Sequence, residues 1–200
     1  CCGPAFAGPQ HGILAHMKAV SKLAIFDGNA LLHRAYHALP PLTAPDGRLV
    51  NAAYGFTTIF LRVLKELKPT YVAVTFDRKE PTFRHEAFTA YKAQREKKPQ
   101  ELYDQIGIIK EIVGAFGVPV FEAKGFEADD VIGTLSALAR TAEVAPDVVV
   151  VTGDLDTLQL VDEHTSVFTL KQGINDTVTY TPVEVQERYG LPPSAMVDYK

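Results

Sequence analysis

Seven acidic residues of this chain fall at positions where a fold can gather them. Asp27 closes the apolar run Leu23 to Phe26, and Asp77 closes the run Tyr71 to Phe76. Asp154 and Asp156 follow Val148 to Val151 by way of Thr152 and Gly153, while Glu127, Asp129 and Asp130 stand where a loop enters a helical pattern. Short runs that are apolar on both faces read as central strands of a parallel sheet. Open α/β sheets bind their ligands beyond the carboxyl ends of such strands. Four separate chain segments are therefore expected to bring carboxylates to one sheet edge.

That gathering has an electrostatic consequence. Two carboxylates about 4 Å apart repel by roughly 4 kcal/mol at an effective dielectric constant of about 20, and several such pairs rival the stability of a whole domain. The acids must protonate, spread apart or bind cations. Hard oxygen donors without cysteine or histidine select Mg²⁺ or Mn²⁺. Two such ions together activate water and stabilise the leaving oxygen of a phosphodiester. A lone aspartate after a strand is ordinarily a turn former or helix cap, and acids in a helix's first turn suit its macrodipole. The coincidence of four segments is what favours a cation site.

Residues 78–98 carry the opposite charge. Arg78, Lys79, Arg84, Lys92, Arg95, Lys97 and Lys98 face only Glu80, Glu86 and Glu96, giving a local charge of +4 in a chain whose net charge is −4. Phe83, Phe88 and Tyr91 are interleaved with these cations. Basic side chains track phosphates and aromatic faces stack on exposed bases, a combination suited to single-stranded nucleic acid. A solvated charged helix with aromatics packed beneath it has the same composition. The position directly after Asp77 favours a segment that overhangs the acidic edge. Arg34, a turn or two beyond Asp27, offers a further phosphate contact.

The elements that must position these residues alternate. A helix is expected through Leu31, Leu32, Ala35 and Tyr36, stopped by Pro40 and Pro41, and a second from about Ala52 to Leu67. Further helices follow through Leu102 to Val113, Val131 to Leu138, and Val185 to Tyr189. Val118 to Phe121 reads as a short strand whose Pro119 suggests an edge or a first position, and Val167 to Leu170 as a last strand for which Thr177 to Tyr180 offers a hairpin partner. Strands alternating with helices predict an α/β fold with a mostly parallel sheet.

Composition excludes several classes. The only cysteines are Cys1 and Cys2, neighbours that cannot staple distant segments, which suits a reducing cytoplasm. Residues 1–17 lack the features of a secretory signal and are expected to lie outside the fold, as an expression remnant or residues ahead of a true start at Met17. No apolar run approaches transmembrane length. His33 and His37 have the spacing of a zinc pair, but Arg34 follows His33, so the HExxH pattern fails and a solvated helix face is expected for them. No Walker A loop, GxGxxG or GxSxG occurs.

The segments IFDGNALLHRAYHAL, VTFDRKEPTFRHEAF, YKAQR, FEADDVIGTL and TGDLDTLQLV together resemble the 5′-nuclease domain family found at the N-terminus of bacterial DNA polymerase I and related to the flap endonucleases. The resemblance covers residues from about Val20 to Lys200. It implies a PIN-like three-layer α/β fold over 18–181 and DNA 5′-3′ exonuclease and flap endonuclease activity. Asp27, Asp77, Glu127 and Asp129 resemble first-metal ligands, Asp154 and Asp156 second-metal ligands, and Asp130 an acid serving either ion. Arg34, Lys92 and Arg95 resemble residues that steer the scissile phosphate, and Tyr91 one that stacks near the cleavage point. The resemblance casts 78–98 as a helical arch for a 5′ single strand, with Arg84, Lys97 and Lys98 as further DNA contacts. It also implies a monomer of the bacterial cytoplasm, associated with the nucleoid, that takes two Mg²⁺ or Mn²⁺ ions. The DNA would carry a 5′ flap, nick or gap, and a polymerase domain in the parent chain is compatible with it. In the family, a helix–hairpin–helix region with further acids and a grip on duplex follows, so 182–200 is expected to begin that region and the chain to be a fragment.

Two other functions fit parts of the pattern. Asp154 to Thr157 mimics a DxDxT phosphatase nucleophile, but such an enzyme places its further acids downstream, whereas here Glu127 to Asp130 lie upstream. A non-catalytic DNA-binding fragment is the other alternative.

Overall fold

The computed structural model of the chain describes residues 21–94, 98–171, 173 and 176–199. Arg95 and Lys97 of the basic segment and the tail 1–17 lie outside the described residues. Among the described residues, six strands form one sheet in the order β3-β2-β1-β4-β5-β6. They are β1 (Lys22–Asp27), β2 (Tyr71–Thr75), β3 (Val120–Phe121), β4 (Asp147–Thr152), β5 (Thr165–Leu170) and β6 (Thr177–Tyr180). All pairings are parallel except β5 with β6, the expected hairpin partner. The edge position of β3 agrees with the proline that precedes it.

Chain order makes β1 the pivot. The strands run outward from β1 to β2 and β3, then return to place β4 on the other flank of β1. That is a topological switch point, where the helices that leave neighbouring strands part to opposite faces and open a crevice. Asp27 ends β1 and Asp154 follows β4, so both border this crevice.

Helices cover both faces, giving three layers. α1 (Gly28–Ala38), α2 (Asn51–Leu67) and α4 (Gln100–Ala115) bury Leu31, Phe56, Phe60 and Ile109 against Phe26, Val149 and Val151. α5 (Ala128–Arg140), α6 (Pro182–Tyr189) and α7 (Met196–Tyr199) bury Ile132, Val185 and Met196 against Ile25, Val148 and Val150 on the other. Alternating side chains of β1 and β4 thus feed two cores, which is why both strands are apolar throughout. Residues 182–199 are packed into the second core. No helix among the described residues is long and apolar enough to cross a membrane.

Buried polar groups fix the register of α2. Val50 supplies no side-chain cap. Instead the side-chain Oε1 of Gln105, reaching from α4, accepts from the backbone N–H groups of Ala52 and Ala53 at 2.8 and 3.0 Å. Two otherwise unpaired N–H donors at the helix start are thereby satisfied in the interior.

The described part of the basic segment contains one short helix, α3 (Phe83–Ala87), followed by turns through 89–94. This described part of the segment likened to a helical arch lies against the acidic edge, held there by the ion pairs given below.

Gly28 joins β1 to α1 at the pivot. A Cβ there would stand 2.4 Å from ring carbons of Phe76 and 2.6 Å from the Thr75 carbonyl oxygen. Gly133, in α5, would bring its Cβ to 3.7 Å from Leu160, an ordinary contact. Overpacking of this kind costs about 1–3 kcal/mol. Urea unfolding of Gly28→Ala is expected to show that loss, with Gly133→Ala close to the parent. Equal stability of the two variants would contradict the packing described at the pivot.

Candidate active site

Each acid of the site is held by the element that carries it. Asp27 is 3% exposed and caps α1, its Oδ1 accepting the Ala30 N–H at 3.0 Å. Its Oδ2 accepts the Thr152 hydroxyl from the end of β4 at 2.7 Å. Thr152 Oγ1 in turn accepts the Asp154 N–H at 2.9 Å. This chain of bonds ties the two sides of the switch point and sets where the loop after β4 begins.

Asp77, just beyond β2, bridges two other elements. Its Oδ1 accepts the Ala128 N–H from the start of α5 at 2.6 Å, and its Oδ2 accepts the side-chain amide of Asn29. The Asn29 Oδ1 is buried without a partner. Asp154 caps a 3₁₀ helix (Leu155–Leu160), accepting the Asp156 N–H at 2.9 Å and, through its carbonyl, the Thr157 hydroxyl at 2.7 Å.

Glu127 precedes α5 and is 9% exposed. Lys92 donates to its Oε1 at 2.7 Å and the Tyr91 hydroxyl to its Oε2 at 3.1 Å. Arg84 grips Asp130 with two bonds of 2.7 Å. These attachments pull the basic segment onto the sheet edge. A free-standing arch would leave both carboxylates without these cations.

Asp27, Asp77, Glu127, Asp129, Asp154 and Asp156 line one cavity of about 540 Å³ at the carboxyl ends of the strands, with Arg34, Tyr91 and Lys92. Asp130 does not line it. Lys98 is exposed ahead of α4. Arg34 borders the cavity, yet its guanidinium donates to the carbonyls of Leu170, Lys171 and Gly173 at 2.9, 2.6 and 3.1 Å, so it also holds the β5–β6 turn. His33 and His37, expected on a solvated face, line the same cavity. The face of α1 that leaves the switch point looks over the acids. Their rings stack at 6.5 Å, and Tyr103 meets His33 edge-on at 6.2 Å.

Electrostatics within the cavity favours a cation. Burial, followed by the charges of Asp77 and Asp154, raises the Asp27 carboxyl to about 6. Burial and the charges of Asp27, Asp154, Asp77 and Glu127 raise Asp129 to about 7. The six carboxylates are hard oxygen donors, which suit Mg²⁺ or Mn²⁺, although the imidazoles of His33 and His37 border the same cavity. Among the described residues no three His, Cys, Asp or Glu side chains stand close enough to hold a metal ion between them. The acids are instead spread apart and bonded to Lys92, Asn29 and backbone N–H groups.

Asn29 and Thr152 were not legible as site residues. Asn29 is two positions past Asp27 and Thr152 two before Asp154, so proximity to the acids was the only signal. Polar residues beside a strand end are too common for that signal to single them out.

A doubly wound α/β sheet thus gathers six carboxylates around the crevice at its switch point, the place where open α/β sheets bind their ligands. Residues 22–190 match the model of the 5′-3′ exonuclease N-terminal resolvase-like domain. The chain belongs to this 5′-3′ exonuclease family, a family of DNA-hydrolysing nucleases. It is 43% identical over 179 residues to DNA polymerase I of Bacillus caldotenax, a match covering 90% of this chain and 20% of that protein. The chain thus spans about a fifth of the length of this curated relative. Among solved structures, a bacteriophage T5 protein co-crystallised with metal ions has a TM-score of 0.65 at 19% identity, covering 88% of this chain and 64% of that one. The T5 flap endonuclease in complex with DNA and metal ions gives 0.64 at 19% identity, with the same coverage. These structures share the PIN-like fold of this chain.

The raised carboxyls set a pH dependence. The folded chain holds more protons than the unfolded chain between the ordinary carboxylate range and about 7, so stability is highest at the acid side of that window and is lost as pH rises through it. Asp27 alone contributes on the order of 3 kcal/mol to this loss. Asp130, held low mainly by its bonds with Arg84, acts oppositely and only below the ordinary range. In EDTA the thermal midpoint is expected to fall from pH 5 to pH 8, less so in Asp27→Asn, with millimolar Mg²⁺ recovering it at pH 8. A midpoint that is flat or rises across that window would contradict the charge balance described.

Proposed function

We propose that this chain carries a 5′-3′ exonuclease and 5′-flap endonuclease site that hydrolyses DNA phosphodiester bonds with two divalent cations, Mg²⁺ or Mn²⁺. The observation that carries this reading is the convergence of six carboxylates from four chain segments on one cavity beneath a basic, aromatic segment. Asp27, Asp77, Glu127 and Asp129 would hold one ion, and Asp154 and Asp156 the other. The ions, when bound, supply the positive charge that activates water and stabilises the leaving oxygen.

The chain's own residues position the DNA. Lys92 and Arg34 border the cavity and would offset the charge gathering on the phosphate as the water oxygen bonds to phosphorus and the ester oxygen departs with a proton. For this, Lys92 exchanges its bond to Glu127 for one to the phosphate. Arg95 is proposed to join it, and Lys97 and Lys98 to follow the backbone of the 5′ strand. The Tyr91 ring, with the Lys92 ammonium 5.1 Å from its centroid, offers a stacking face for an unpaired base. The substrate is DNA with a 5′ flap, nick or gap. The relatives' identity as bacterial DNA polymerase I supports a parent chain with a polymerase domain, and we propose that it acts as a monomer in the bacterial cytoplasm.

A second reading, DNA binding without turnover, is favoured by the spacing of the acids within the cavity, where among the described residues no three stand close enough to hold an ion between them. Cleavage of a 5′-labelled flap DNA separates the two. Short 5′ products should appear with Mg²⁺ or Mn²⁺, vanish with EDTA and be lost in Asp27→Asn. Binding in EDTA with no cleavage under any metal would establish the second reading. Lys92→Ala is expected to reduce turnover about a hundredfold or more, while loss of its part-buried ion pair with Glu127 lowers stability by about 1–3 kcal/mol and leaves the chain folded. An equal collapse of the thermal midpoint would assign Lys92 to folding instead.

A further inference from the structure

Arg84 belongs to the basic segment, where its charge alone marks it as a DNA contact, yet its guanidinium is already engaged within the fold. Its Nη1 and Nη2 donate to Oδ2 and Oδ1 of Asp130, both at 2.7 Å. The same Oδ2 accepts the N–H of Glu127 at 3.0 Å, so one carboxylate closes the first turn of α5 and receives Arg84 together. Nη1 also stands 3.8 Å from Glu127 Oε2.

The neighbourhood strengthens the attachment. The guanidinium lies 4.6 Å from the centroid of the Phe83 ring, and that ring packs against Phe126 at 5.6 Å. The Phe83 N–H donates to the Gly125 carbonyl at 2.9 Å. Short helix α3 is thus joined to residues 125–130 by backbone, ring and ion-pair contacts. Asp130, alone among the seven acids, is missing from the cavity lining, and both of its oxygens are occupied.

We infer that Arg84 is a positioning residue, anchored on Asp130, that holds the first turn of α5 and the basic segment in register with the acidic cavity, and that Asp130 serves as its anchor and not as a cation ligand. A planar guanidinium bonded through two parallel N–H groups fixes direction as well as distance, which a single ammonium cannot do. What it positions is Glu127, whose carboxylate enters the cavity, and through Glu127 the side chain of Lys92. The backbone of Lys92 is left-handed, with φ of 56°, so its reach to Glu127 depends on the segment being seated. The consequence for cation binding rests on the nuclease reading above; the seating itself does not.

The test compares the parent chain with Arg84→Gln, Arg84→Lys, Asp130→Asn and the double variant Arg84→Gln/Asp130→Asn. Three properties are read: Mn²⁺ affinity by electron paramagnetic resonance, binding of a 5′-flap DNA in EDTA, and hydrogen exchange at the amides of residues 127–130. Removing a group that orients a metal ligand typically costs 10–100-fold in affinity. Each single variant is therefore expected to weaken Mn²⁺ binding about tenfold and to speed exchange at these amides, with the double variant no worse than either. Arg84→Lys should resemble Arg84→Gln. If Asp130→Asn weakens Mn²⁺ binding while Arg84→Gln leaves it unchanged or tighter, Asp130 is a ligand and the inference fails. It fails equally if Arg84→Gln weakens flap binding by the same factor with and without Asp130→Asn, since Arg84 then contacts phosphate. Should the parent chain bind no Mn²⁺, the nuclease reading is what fails; exchange then decides the seating alone, and unequal effects of Arg84→Gln and Asp130→Asn would overturn it.

Discussion

Repulsion among carboxylates is the constraint around which the rest of this domain is arranged. Parallel strands deliver Asp27, Asp77 and Asp154 to one edge, and α5 adds Glu127 and Asp129. Concentrating that much like charge in a partly buried crevice is unfavourable unless something neutralises it. The structure uses every available means. Asp27 and Asp129 are driven toward their protonated forms. Asp77 takes a backbone N–H and an asparagine amide. Glu127 takes a lysine and a tyrosine. A divalent cation would do the work of all of these, which is why the arrangement favours one.

The basic segment is the counterpart of that charge. It follows directly on Asp77 and turns back over the α5 start, so its cations meet the acids across a short distance. Charged side chains inside a low-dielectric crevice attract strongly when paired and cost several kcal/mol when left alone. A segment with Arg84 and Lys92 at its inner face therefore lies down on Asp130 and Glu127. Lys92, the cation proposed to meet a phosphate, serves as an internal counter-charge to Glu127, while Arg84 stays seated on Asp130, so the acid edge and the basic segment are electrostatically linked.

Much of this was legible in the sequence. Continuous apolar runs ending in aspartate reveal strands buried on both faces and a shared carboxyl edge, because a parallel sheet leaves few other ways to read them. The hairpin at β5–β6 and the edge position of β3 follow from local patterning. Partner choice was less legible. Nothing in the spacing of Glu127, Asp129 and Asp130 says that Asp130 turns away to Arg84 while its neighbours face the cavity. Arg34 reads as a phosphate contact, yet it also holds three carbonyls of a distant turn. The described part of the arch segment contains one five-residue helix, and its ion pairs with Asp130 and Glu127 are contacts that its own spacing does not reveal.

The central claim is that the acids at the switch point form one cavity that takes divalent cations. Anomalous diffraction from crystals of this chain soaked in Mn²⁺ tests it most directly. The account predicts anomalous density within the cavity bordered by Asp27, Asp77, Glu127, Asp129, Asp154 and Asp156, with the Lys92 ammonium displaced from Glu127. Density confined to other surfaces, with Lys92 still bonded to Glu127, would contradict it.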